Sequence, residues 1–219
     1  MNSTGFCVRR LGKSRQPVRS QNTDVGISGR KGYSGLMNIS TDDFPQFMTD
    51  IMDVSKYAKQ ALCADVGGPA DGVPILVWVS LNEDGEAAPA IVACPTPTEE
   101  LPARDVLYAA LNEAFVELGT PVFGAFVSEA YIKREVNEGE RDTIKRGDME
   151  RDFKNNAETN VVECITIIGF SRTGHREYHI VEYKYDDSGQ PNFSEVVRDG
   201  MSSGALVDVL DNFMGIITA

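Results

Sequence analysis

Apolar residues in this chain fall into helical and strand periods only from about position 41 onward. Phe44, Phe47, Met48, Ile51, Met52, Ala58 and Leu62 mostly follow the i, i+3, i+4 spacing of one buried helix stripe. Thr41-Asp-Asp43 stands before them as a capping segment, because side-chain oxygens there accept the free N–H groups of a first turn. Gly67-Gly68-Pro69 ends the helix. A second helix is predicted over 101–118, where Val106, Leu107, Ala110, Leu111, Ala114, Phe115 and Leu118 share a face before Gly119 and Pro121. A last one is predicted over 203–216, lined by Leu206, Val209, Leu210, Phe213 and Met214.

Between the helices the period shortens to that of strands. Val73 to Leu81 and Ala87 to Cys94 flank the turn Asn82-Glu-Asp-Gly85 and read as a hairpin. Val122 to Ile132 is a third strand. Val161 to Phe170 and His175 to Tyr185 are two more, joined around Arg172-Thr-Gly174. A weaker strand follows near Phe193–Val197. The order is α-β-β-α-β-β-β-(β)-α. Short links imply antiparallel pairing, so the expected class is α+β: one mainly antiparallel sheet of about five strands with helices packed on one face.

Charge divides the chain differently from hydropathy. Residues 1–40 hold seven bases and one acid, a net of +6, while the remainder holds 14 bases and 32 acids, a net of −18. The organisation expected is therefore a basic Ser/Gly/Arg-rich flexible tail over 1–40 and a single acidic domain over 41–219. Within that domain 133–160 is a mixed-charge insert of seven bases and eight acids, with one short helix expected around Met149 and Phe153. The tail has few large apolar groups with which to offset chain entropy. It reads as an arm making weak polyanion contact, as an organelle transit peptide, or as inert sequence ahead of a start at Met37. Gly29-Arg-Lys-Gly32 matches a backbone-clamping GXXG loop, but no helical period precedes it.

Composition excludes more than it assigns. No stretch approaches the roughly 20 apolar residues of a membrane span, and no apolar leader opens the chain, so a cytoplasmic protein with no membrane contact is expected, or a matrix protein if the tail is a transit peptide. The four cysteines, Cys7, Cys63, Cys94 and Cys164, form no C-x-x-C, and free thiols are expected. No nucleotide-binding or hydrolase fingerprint occurs. Neither a cofactor nor a metal is expected.

Three residues stand out as site candidates: Glu129, Glu163 and His179. Glu129 and Glu163 interrupt apolar strands. If those strands pair, the two carboxylates approach one another, and such a pair holds a raised pKa or a divalent cation. Otherwise alternation puts them on a solvated face. His175 and His179 are four apart on a strand, about 13 Å at roughly 3.3 Å per residue, too far to share one zinc. The expected function is a non-enzymatic accessory or interaction protein, with a protein partner or a second copy of itself as a homodimer. Its contact surfaces would be the sheet edge, the insert and the apolar C-terminal helix. Two alternatives stand beside it. One is an acidic inhibitor imitating nucleic-acid phosphates, since 41–132 carries 15 acids against three bases. The other is a small hydrolase or metal-dependent enzyme using Glu129, Glu163 and a histidine in one concave pocket.

Overall fold

The computed structural model describes residues 7–10, 40–133, 161–199 and 205–218. They form an α+β structure on a fully antiparallel sheet. The strands are β1 (Cys7–Arg10), β2 (Ile75–Leu81), β3 (Ala87–Ala93), β4 (Pro121–Lys133), β5 (Val161–Ser171), β6 (Arg176–Tyr185), β7 (Pro191–Phe193) and β8 (Val197–Asp199). The helices are α1 (Phe44–Val66), α2 (Ala103–Leu118) and α3 (Ala205–Thr218). The sheet order is β1-β3-β2-β4-β5-β6-β7, with β8 on the same free edge of β6 as β7. The GXXG loop, Met37 and the expected helix near Met149 lie outside the described residues.

The expected class and element order hold, with a wider sheet than expected. The segment read as one weak strand near 193–197 is two. β7 pairs with Tyr183–Tyr185 and β8 with Tyr178–Ile180, and Ser194 N–H bonds Glu182 O at 2.8 Å between them. The eighth strand comes from the tail: β1 lies antiparallel to β3, with Cys7 opposite Ala93 and Arg10 opposite Ala90.

Helices cover both faces of the sheet, not the single face expected. α1 lays Phe44, Phe47, Met48 and Met52 against Val77, Phe123, Ala125, Ile165, Ile167 and Val181. α2 and α3 cover the opposite face, where Trp78, Phe126, Ile168 and Phe170 meet Leu107, Leu111, Leu210 and Phe213. The reason lies in β5, whose eleven residues are all buried. A strand that is apolar at successive positions, rather than alternate ones, needs cover on both sides. Two glycines let the layers close. A Cβ on Gly169 would sit 1.9 Å from Met48 Sδ, and one on Gly124 would sit 2.2 Å from the Phe170 ring.

The buried line of α1 is rotated slightly from its sequence reading. Lys59 and Cys63 are buried, whereas Ala58 is exposed and Leu62 half-buried. Nor does Asp43 cap the helix: Thr41–Asp43 is a 3-10 turn, and Asp43 Oδ2 accepts from the upstream Ser40 N–H at 2.9 Å.

Candidate functional site

Sheet register brings the two carboxylates together. Glu129 lies opposite Ile165, and Tyr131 lies opposite Glu163, so Glu129 and Glu163 share a face as diagonal neighbours. It is the face under α1, not a solvated one. Tyr183 stands opposite Glu163 on the next strand and points the same way. The chain segment Asp71–Pro74 just before β2, together with Thr96 and Pro97 after β3, closes in. The result is a cleft of about 130 Å³ lined by both glutamates, Asp71, Tyr131 and Tyr183.

Glu129 is anchored on every side. Lys59, whose side chain is only 1 % exposed, donates from Nζ to Glu129 Oε2 at 2.7 Å and to Ala70 O at 2.6 Å. Tyr183 Oη donates to the same Oε2 at 3.3 Å, and Gly72 N–H donates to Oε1 at 3.0 Å. A side chain at position 72 would collide with that carboxylate, since a Cβ there would lie 2.8 Å from Oε1. Nζ also lies 4.8 Å from the centre of the Tyr183 ring and 5.6 Å from that of Tyr185. An ammonium placed so is attracted to the electron-rich ring faces. Burial opposes the charge on Lys59, yet its pKa is raised, because Glu129 and Tyr185 favour the charged form.

Glu163 is the opposite case. It is 6 % exposed, and its Oε2 has no hydrogen-bond partner among the described residues. Burial pushes its pKa up to about 7, with Asp71 and Glu129 adding to the rise while Lys59 and a hydrogen bond from Tyr131 oppose it. Tyr183 is pushed up as well, by burial first and then by the two glutamates, so it stays a phenol and a donor.

The third candidate does not join them. His179 is buried on the same face, but it pairs with Ile167, four residues along β6 from Tyr183. That puts it roughly 13 Å from the glutamates at ~3.3 Å per residue. Its Nε2 meets Glu177 Oε2 at 2.9 Å, outside the cleft. Among the described residues no group of three His, Cys, Asp or Glu is placed to hold a metal ion. Cys94 and Cys164 are buried thiols, both pushed up to about 12, first by desolvation. A thiol held protonated is a poor nucleophile.

Acid–base work by a carboxylate pair needs both groups free to reach a substrate. Glu129 has both oxygens committed to three donors, so of the pair only Glu163 keeps an oxygen without a partner among the described residues. Sequence reasoning found the two glutamates but missed Lys59, Tyr183 and Gly72. One signal was present: Lys59 lies seven residues after Met52 and four before Cys63, in phase with the buried line of α1. No protein-family model, curated protein or solved structure matches this chain.

Proposed function

We propose that this is a non-enzymatic interaction protein that takes up an extended strand on the edge of β3. The observation that carries the reading is the pairing of Cys7–Arg10 with Ala90–Ala93. The strand in that place comes from a segment some eighty positions upstream of its partner in the chain. A sheet edge presents a row of backbone donors and acceptors that any extended segment can satisfy, which is the physical basis of recognition by strand addition.

Charge supports the same reading. The tail carries +6 against −18 for the rest of the chain, so its approach to the acidic body is favoured at low ionic strength. The partner is then either an extended basic segment of another protein or the same segment of a second copy. The stretch 11–39 spans up to about 100 Å when extended, enough to reach across to a neighbour. Exchange of β1 between two copies gives a closed dimer without any new surface.

The edge is tested by comparing the full chain with one starting at Met37. Amide hydrogen exchange at Ile91 and Ala93, whose N–H groups face β1, should be slow in the first and fast in the second. A peptide covering residues 5–12, added in trans, should restore the protection, more strongly at low salt than at 1 M salt. Equal exchange in the two chains, or a peptide that leaves these amides unchanged, sinks the proposal.

A further inference from the structure

We propose that the Glu129–Glu163 cleft is a binding site for a primary alkylammonium group, received by Glu163 Oε2. Three carboxylates face this cleft, from Asp71, Glu129 and Glu163. Lys59, the ammonium that meets one of them, is committed to Glu129 and to the Ala70 carbonyl. Among the described residues the cleft is therefore short of positive charge. A buried carboxylate oxygen without a donor is costly, and a cationic donor is the group that relieves both deficits at once.

The geometry selects among cations. Tyr131 already hydrogen-bonds the Glu163 carboxyl, and among the described residues one buried oxygen, Oε2, is left without a donor. A guanidinium gains its advantage from a two-pronged contact with both oxygens, whereas an ammonium acts as a compact point charge. The volume, about 130 Å³, is small against the roughly 300–1,000 Å³ of pockets for drug-sized ligands. It suits a head group and a short stem. Val73, Pro74 and Pro97 supply apolar wall for that stem. A hard metal ion would need six or more oxygens around it, which the described residues do not gather.

Binding carries a proton signature. The ammonium favours ionised Glu163, so a carboxyl that titrates near 7 must lose its proton as the ligand enters. Affinity should rise about tenfold between pH 6 and pH 8, because ionised Glu163 grows by that factor over the interval. This site is separate from the β3 edge, and its test leaves that reading untouched.

The experiment is calorimetric titration of the full chain at pH 7 with n-butylammonium, with Nα-acetyl-lysine N-methylamide and with methylguanidinium. Each is run in two buffers of different ionisation heat. Saturable binding of an ammonium, a heat that differs between buffers by the proton released, and loss of both in Glu163→Gln are the expected results. Glu86→Gln, an exposed carboxylate in the β2–β3 turn, should bind as the parent does. A thermal melt of each variant establishes folding before titration. Binding of butylammonium alone marks a free amine as ligand, and binding of the acetyl-lysine amide marks a lysine side chain. Three results overturn the site: no saturable binding of either ammonium, unchanged binding in Glu163→Gln, or tighter binding of methylguanidinium.

Discussion

Glu163 is held where three influences favour its neutral form: burial, the carboxylate of Asp71 and that of Glu129. Such a group links stability to pH in a direction opposite to most acids. Below about pH 4 it is protonated both folded and unfolded. Between about 4.5 and 7 the folded chain keeps the proton while the unfolded chain loses it. The contribution is therefore fully present in acid and disappears as pH rises through 7, an effect of about 3 kcal/mol for a shift of this size. Glu163→Gln removes the titrating group. Urea denaturation at pH 5 and pH 8 should show the variant gaining roughly 1–3 kcal/mol on the parent at the higher pH. Parallel profiles for the two proteins would refute this. Sequence alone exposed this residue because an acid interrupted an apolar run. Its companions were hidden for a physical reason. A tyrosine in a strand looks like any aromatic, and a lysine in a helix is normally solvated. Only the sheet register, which puts Tyr183 opposite Glu163 and Glu129 on the diagonal, makes them a cluster.

At the level of elements, the C-terminal helix shows where periodicity informs and where it stops. Its apolar face was legible, but the surface it would meet was not. The dimer contact expected of this helix rests on Ile216 and Ile217, whose side chains lie outside the described residues, with packing of the helix on the sheet as its alternative. In the fold, Leu210 and Phe213 are buried in the protein's own second core. Phe213 meets Trp78, Phe115 and Phe170 edge-on with ring centres 5.9–6.0 Å apart. Outside this cluster Arg176 of β6 pairs with Asp211. Phe213→Ala should cost about 3–5 kcal/mol, read from chemical denaturation, because the surrounding rings cannot collapse onto the space. A loss below about 1 kcal/mol would mean that α3 does not pack as described. The same limit explains the misjudged layer count. Each helix shows one apolar stripe whichever side it takes, and the decisive sign was the unbroken burial capacity of Val161–Ser171. β1 was least legible, since four residues in a polar basic stretch form a strand only because an edge awaits them.

Over the whole molecule, charge and fold divide the chain at different places. The basic tail contributes a strand to the acidic body, so the boundary near residue 40 separates compositions without separating structures. The long pairing of β4 with β5 has a further consequence. It runs without a break from Phe123–Ser171 to Lys133–Val161, so the last residues before and after 134–160 are direct cross-strand neighbours. Two ends held that close can be joined by a short hairpin turn. Replacing 133–161 by Asn-Gly, which sets the turn on the hydrogen-bonded pair Ile132–Val162, should leave a cooperatively folding protein. Loop-closure entropy puts the change in stability at about 2 kcal/mol. A thermal melt checks this, and a broad, non-cooperative transition would contradict it. The position is thus a docking port for protein engineering: a foreign domain with adjacent termini can be spliced between Lys133 and Val161 while the sheet beneath keeps its register.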